Sequence, residues 1–191
     1  MTVRFVKEYC DNVRYIIVTD DDVLINLWEV INTLEVYSGI KQPREELERT
    51  IFCYVFYHLK AIRDPKNRWY VSKADFPDDY MKNYCFAMIT IIPRQLIGNM
   101  FRALKNATYS NFDDYFLTGE LATKAGAKFK DFSSKALHHT IKKNRSGFLH
   151  RRIYFQETET IEQAEEMWNE LKNGYYSRKE KYKEDKEWTG F

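Results

Sequence analysis

Apolar residues recur every three or four positions along much of this chain, which is the spacing of one face of an α-helix. The pattern is clearest over 43–62, where Pro43 suits the first turn of a helix and the acidic run EELE follows it. This stretch predicts the most regular helix of the chain. Its apolar positions are Leu47, Ile51, Tyr54, Val55, Leu59 and Ile62.

The same spacing predicts three more helices ahead of and behind the middle of the chain. One runs from the TDDD stretch to Gly39, with Thr19 or Asp20 as its cap. Another follows Pro93, and the last covers 160–174, where the apolar positions are those of a short amphipathic helix. These helices indicate a protein built mostly of α structure.

Two stretches depart from the helical pattern. The β-branched run YIIV, residues 15–18, predicts a short strand or a buried segment. The run YMKNYCFAMITII, residues 80–92, is apolar nearly all round and fits either a central helix or a buried strand. The predicted fold class is therefore mainly α, a helical domain with a small β element.

Charge changes this picture because it is unevenly placed. The 191 residues carry a net charge of +2, yet residues 94–152 hold 12 Lys and Arg against 4 Asp and Glu. The flanking segments, 1–93 and 153–191, have net charges of −2 and −4. A concentrated basic segment indicates an anionic partner, most often nucleic acid. The alternative is that the basic segment packs against acidic segments of its own chain.

Within the basic segment, two short helical patterns are joined by a turn. TGELATKAG has Thr118 as a cap and Gly126 at its end, and DFSSKALHHTIKKN follows. ELATKAG, the turn and SSKALHHTI resemble the helix-turn-helix of bacterial and phage regulators, and the basic FLHRRIYF resembles the wing of a winged-helix domain. The turn AKFKDF is longer than the roughly 3–4 residues usual in such motifs.

The resemblance implies DNA recognition, with the second helix in the major groove and the wing against phosphates. Ser133, Ser134, Lys135 and His138 would contact bases, Lys142, Lys143, Arg145, Arg151 and Arg152 would contact the backbone, and His139 completes the predicted nucleic-acid-binding set.

Three uses of the basic segment stay open at this point. It could read double-stranded DNA as part of a small regulator, or hold phosphates without reading bases. It could also belong to a non-enzymatic adaptor or inhibitor, of a kind that phages encode, which docks on a protein or a protein–nucleic-acid machine. We predict a helical partner or dimerisation region over 1–106, the basic segment over 107–156, and an acidic helix with a polar tail over 157–191.

Catalytic signatures are absent from the sequence, which has no GxGxxG, GxxxxGK[ST], GxSxG or HExxH. The carboxylates of Asp20, Asp21 and Asp22 could hold a cation, but on a helix consecutive side chains diverge by about 100°, and capping is the preferred interpretation. ADFPDD and NFDDYF are interpreted as helix starts and loops. We expect no metal and no other cofactor, and the sequence favours a non-enzymatic protein.

Cysteine spacing and hydropathy bear on the compartment. Cys10, Cys53 and Cys85 are widely spaced and predicted to be free thiols in a reducing cytosol. No apolar run reaches the roughly 20 residues of a membrane helix. The sequence thus predicts a cytoplasmic protein without a membrane partner.

Overall fold

A computed structural model describes residues 2–39, 43–137 and 147–187 of the chain, with side chains described as far as residue 175. These residues form two compact units, and each unit contains both strands and helices. The fold is therefore mixed α/β, and the predicted mainly α fold is wrong. The predicted division of the chain into three regions stays a prediction.

The larger unit, residues 1–19 and 38–133, is built on a four-stranded sheet. Its strands are β1 (Tyr15–Val18), β3 (Thr50–Phe56), β4 (Tyr84–Pro93) and β5 (Lys128–Asp131), in the spatial order β1-β4-β3-β5. The long β4 pairs antiparallel with β1 and β3, while β5 lies parallel to β3.

Helices of the larger unit pack on this sheet. They are α1 (Thr2–Tyr9), α3 (Arg44–Leu47), α4 (Arg94–Ala103), the 3-10 turn Leu104–Asn106 and the π-helix Tyr115–Ala122. The predicted helix after Pro93 is confirmed as α4, and the short strand before Thr19 is confirmed as β1. The shared core contains Val3, Val6, Ile51, Val55, Ile92, Leu96, Met100 and Leu121.

The predicted helix over 43–62 is wrong beyond its first turn. Residues 44–47 form α3, but 50–56 form β3, in which five of the seven residues are buried and two are half-buried. A strand buried on both faces has no polar alternation, so its sequence is easily mistaken for one face of a helix. The run over 80–92, whose sequence fits either a helix or a buried strand, contributes most of β4.

Cys53 and Cys85 form a disulfide, so the prediction of three free thiols is wrong for this pair. The two residues lie on the adjacent strands β3 and β4, with their Cα atoms 5.6 Å apart, which suits a disulfide. Cys10 is free, as predicted. Strand pairing brought together two cysteines that are separated by 32 positions in the sequence.

The smaller unit comprises residues 20–37 and 134–191. It contains β2 (Val23–Ile25), most of α2 (Leu27–Gly39), β6 (Ala136–Leu137), β7 (Phe155–Glu157) and α5 (Ile161–Glu187). Strand β7 lies between β2 and β6. The buried residues Phe148, Met167 and Leu171 form its core with Leu24, Trp28 and Trp168.

Helix ends in the smaller unit follow the predictions in part. Helix α2 ends at Gly39 as predicted, but it begins at Leu27, where the side chain of Asn26 accepts a hydrogen bond from the Glu29 N–H at 3.3 Å. Capping by Thr19 or Asp20 is therefore wrong. Helix α5 passes through Gly174, where the sequence predicted an end.

The helix-turn-helix resemblance does not correspond to the structure. The first predicted helix lies in and just after the π-helix, and the predicted turn contains β5, which pairs with β3 from Thr50↔Lys128 onward. Residues 133–135 form a 3-10 turn, followed by β6. The predicted wing, residues 148–155, includes two residues of a helical turn at 147–149 and only one residue of β7. Long-range strand pairing overrides the local helical pattern here.

Candidate functional site

An aromatic cleft of about 420 Å³ opens in the larger unit between residues 68–76 and 109–113. Trp69, Tyr70 and Tyr109 are exposed, and the Trp69 ring lies 5.9 Å from the Phe112 ring. Broad aromatic faces beside a few polar groups are typical of ligand sites. The lining residues are Arg68, Trp69, Tyr70, Val71, Ser72, Asp75, Phe76, Tyr109, Ser110, Asn111, Phe112 and Asp113.

The first wall of the cleft is a long loop held by side-chain hydrogen bonds. The Arg63 guanidinium donates to the carbonyl oxygens of Val71 at 2.8 Å and Phe76 at 2.9 Å. The Asn67 side chain accepts the Trp69 N–H at 2.8 Å. These contacts replace the strand ladder that the loop lacks, and they fix the backbone that carries the exposed indole.

The second wall ends at the acidic pair Asp113–Asp114, which precedes the π-helix. Asp113 is exposed and lines the cleft, and its carboxylate accepts the Asp114 N–H at 3.1 Å. The Asp114 carboxylate accepts the Ala87 N–H of β4 at 3.1 Å, and the Thr118 hydroxyl donates to the Asp114 carbonyl at 2.7 Å. The sheet therefore positions the acidic pair.

The π-helix itself needs a glycine. A Cβ on Gly119 would lie 2.6 Å from a ring carbon of Tyr115 and 3.2 Å from the Cβ of Tyr84, so a larger residue does not fit. The Thr118 hydroxyl also accepts the Cys85 N–H at 2.9 Å. π-helical turns are rare and frequently occur at functional sites.

A buried carboxylate, Glu120, braces the second wall from behind. It accepts the Thr108 N–H at 2.9 Å, and it pairs with the ammonium groups of Lys82 at 2.8 Å and Lys124 at 3.1 Å. The Glu120 side chain is only 5 % exposed, whereas the two lysines reach solvent. Because Thr108 directly precedes the cleft residue Tyr109, this cluster fixes the start of the wall.

The electrostatics of this cluster follow from burial and contact. Burial raises the pKa of the Glu120 carboxyl, but the hydrogen bonds from Lys82, the Thr108 N–H and Lys124 outweigh it and bring the pKa below its usual value. The hydrogen bond to Glu120 raises the pKa of Lys82 against an opposing effect of burial. Burial and the nearby Asp114 charge raise the pKa of Tyr84. The shifts of Glu120 and Lys82 favour an ionised pair at neutral pH, whereas the shift of Tyr84 keeps its hydroxyl group neutral.

A second feature, in the smaller unit, is the exposed acidic turn Asp20–Asp22. It precedes β2, and the Asp22 carbonyl accepts the N–H and the hydroxyl of Thr158 at 2.7 and 2.9 Å. Asp20–Asp22 form a turn and not the start of a helix, so the predicted helical divergence of their side chains is wrong. Within the part of the chain that the structure describes, no group of three or more His, Cys, Asp or Glu side chains could hold a metal ion.

The predicted nucleic-acid-binding residues are only partly described. Ser133, Ser134 and Lys135 lie in the 3-10 turn, and Lys135 places its ammonium 4.8 Å from the centre of the Tyr154 ring. Arg151 forms an ion pair with Glu29, and Arg152 is exposed. The remaining predicted residues, His138, His139, Lys142, Lys143 and Arg145, lie outside the described residues. No observation tests the binding role of any single residue in the set.

The sequence did not predict the aromatic cleft, although residues 63–79, with two prolines, match neither the helical nor the strand pattern. A usable signal was present, because loops longer than about 12–15 residues without secondary structure are usually functional. Trp69 and Tyr70 lie in such a loop, and Asp113 and Asp114 stand where the next helix begins; these residue types are suited to ligand binding.

Comparison with known proteins identifies the class. Residues 1–133 match the family model described as Galactosyltransferase. Human beta-1,3-galactosyltransferase 1 is 21 % identical over 178 residues, which are 93 % of this chain and 52 % of the relative. The Drosophila melanogaster beta-1,3-galactosyltransferase brn is 22 % identical over 92 % of this chain and 52 % of its own length. Human beta-1,3-galactosyltransferase 5 is 24 % identical over 61 % of this chain and 36 % of its own length.

These matches overturn the predicted function. They indicate a family of sugar-transferring enzymes and no helix-turn-helix or winged-helix family, so the predicted DNA-binding regulator and its double-stranded DNA partner are wrong. The adaptor or inhibitor is unsupported as well. The chain spans about half the length of the first relatives named. No helix in the described ranges has the length and apolar character needed to cross a membrane.

Proposed function

Because the chain belongs to the galactosyltransferase family, we propose that the protein transfers a galactosyl group from a sugar nucleotide to a hydroxyl group of a saccharide acceptor. The family match over residues 1–133 carries this proposal. The names of the relatives favour a β-1,3 linkage in the product. The aromatic cleft independently supports a saccharide substrate, because a saccharide presents both apolar faces and hydroxyl groups.

The transfer needs a group that accepts a proton. The acceptor oxygen forms a bond to the anomeric carbon of galactose, and the bond from that carbon to the donor phosphate oxygen breaks, so that a nucleoside diphosphate leaves with the electron pair. The acceptor hydroxyl loses its proton to a base. We assign the base to the acidic pair Asp113–Asp114, because Asp113 lines the cleft and the Ala87 N–H of β4 holds Asp114.

A sugar nucleotide also carries a diphosphate, whose charge a divalent cation commonly neutralises. Carboxylates suit hard cations such as Mg²⁺ and Mn²⁺, and one or two of them suffice when phosphate oxygens complete the coordination. The exposed acidic turn Asp20–Asp22 fits this requirement without a closed cage of protein ligands. When bound, such a cation would neutralise charge on the leaving diphosphate.

The proposal is tested by incubating the protein with UDP-galactose and a panel of saccharide acceptors, with and without Mn²⁺, and separating the products by mass. We expect a product heavier than the acceptor by one hexose residue. Asp113→Asn and Asp114→Asn should remove most of this activity. The control is Asp64→Asn, because Asp64 is an exposed aspartate of the same unit outside the cleft. Absence of transfer to every acceptor would refute the proposal.

A further inference from the structure

We propose that the aromatic cleft is the subsite for the acceptor saccharide, and that the Trp69 indole is the platform on which a pyranose ring stacks. This inference deepens the proposed function and rests on it. The cleft lies in the larger unit alone, and its walls are the braced loops described above. The expected occupant of the cleft is an uncharged sugar ring rather than the sugar nucleotide.

Charge separates these two occupants. The charged residues lining the cleft are Arg68, Asp75 and Asp113, with a formal net charge of −1. The one cation among them, Arg68, lies over the Trp69 ring at 4.7 Å from its centre. A diphosphate would meet two carboxylates without a matching set of donors, which is unfavourable. An uncharged saccharide meets no such repulsion.

The aromatic surface fits the apolar face of a sugar. Trp69 is 51 % exposed and Tyr109 is 73 % exposed, although burial would favour both of them. The faces of aromatic rings carry negative potential, so they attract the slightly positive C–H groups on one face of a pyranose. Exposed rings that line a cavity are therefore explained by a ligand that covers them.

Hydroxyl groups of the same sugar would meet polar side chains. The Ser72 hydroxyl donates to the Asp75 carboxylate at 2.6 Å and accepts the Asp75 N–H at 3.0 Å, which orients that carboxylate. The Ser110 hydroxyl accepts the Phe112 N–H at 3.2 Å on the opposite wall. Oriented carboxylates and hydroxyls accept and donate to sugar hydroxyls, while the rings bind the carbon face.

Kinetics of substituted proteins test the assignment. Trp69→Ala should raise the KM for the acceptor by about 10-fold or more, the usual size of a lost stacking contact. The KM for UDP-galactose should stay within about 2-fold of the wild-type value, since the donor does not occupy the cleft. Trp69→Phe keeps a ring and should recover part of the loss. Tyr57→Ala, an exposed aromatic residue outside the cleft, is the control.

The possible outcomes separate this inference from the proposed function. An active wild type whose Trp69→Ala variant keeps its acceptor KM, or loses donor affinity instead, overturns the subsite and leaves the transferase intact. If the wild type transfers no galactose, the acceptor saccharides are titrated into the protein and their binding is measured by tryptophan fluorescence. A saturable change that disappears in Trp69→Phe supports a sugar-binding cleft, and no change overturns it.

Discussion

Replacing Glu120 by glutamine tests how the second wall of the cleft is held. The substitution keeps the shape of the side chain but removes the charge that Lys82 and Lys124 face. Exposed ion pairs contribute about 0–1 kcal/mol, and breaking a fully buried pair costs about 3–5 kcal/mol. Here the carboxylate is 5 % exposed, but the lysines are 46 % and 35 % exposed. An intermediate loss of about 2 kcal/mol in the free energy of unfolding is expected.

Urea unfolding measures this loss, with the midpoint and the slope compared between wild type and variant. Glu46→Gln is the matched control, because Glu46 forms a 2.9 Å pair with Lys128 in the same unit and both side chains of that pair are exposed. It should cost less than about 1 kcal/mol. Equal losses for Glu120→Gln and Glu46→Gln would refute the reasoning that burial makes the Glu120 cluster strong.

The dependence of stability on pH follows from the same cluster. The pKa of Glu120 is lower in the folded protein than its ordinary value of 4.5, so its contribution is fully present above that pH and is lost as the pH falls through the folded pKa. The pKa of Lys82 is raised above 10.5, so its contribution is present below that pH and is lost as the pH rises through the folded pKa. Glu120→Gln should therefore flatten the acid side of the stability profile. The profile is measured by urea midpoints between about pH 3 and 7, a range that includes the ordinary pKa of a carboxyl group.

Three further predictions concern the disulfide, the π-helix and the acidic turn. Reduction of the Cys53–Cys85 disulfide should lower stability by about 3.7 kcal/mol for a separation of 32 residues, as seen in urea midpoints with and without reductant. Alkylation of all three cysteines before reduction would contradict the disulfide. Gly119→Ala should lower the free energy of unfolding by about 1–3 kcal/mol, because the added methyl group overlaps Tyr115. Gly98→Ala is the control and should stabilise slightly, since a Cβ at this position of α4 meets open space. Equal effects of the two substitutions in thermal melts would contradict the overlap. Chelation with EDTA should remove galactosyl transfer, and added Mn²⁺ should restore it. Asp21→Asn and Asp22→Asn should raise the Mn²⁺ concentration that half-restores the transfer rate. An unchanged Mn²⁺ requirement in both variants would exclude the acidic turn as a cation site.

Local signals predicted the parts of the fold that local interactions decide. Pro93 introduces α4, and Thr160 caps α5, where its hydroxyl accepts the Gln163 N–H at 3.2 Å. The strand β1 also matched its β-branched sequence. These features depend on residues within a few positions of one another, so a single sequence contains the information.

The central sheet could not be predicted in the same way. Strands β3 and β4 are buried on both faces, and the alternation that reveals a strand exists only when one face meets solvent. The disulfide could not be predicted for a related reason, because Cys53 and Cys85 come together only when the two strands pair. The compartment prediction rested on free thiols, so the cytoplasmic location stays a prediction without that support.

The sequence motif that resembles a helix-turn-helix is present in the chain, but its apolar residues serve a different fold. Leu121 and Ala122 are small or apolar because the π-helix packs into the core of the larger unit, and a first helix of a helix-turn-helix needs the same residue types for its own core. What distinguishes the two is the next segment, where Lys128 pairs with Thr50 from far along the chain. The basic charge of 94–152 carries no more weight, because Lys124 and Lys128 belong to ion pairs within the unit. The proposed function instead uses a cleft whose first wall is a loop that matches no regular pattern, and a long irregular loop of this kind is the better indicator of a functional site.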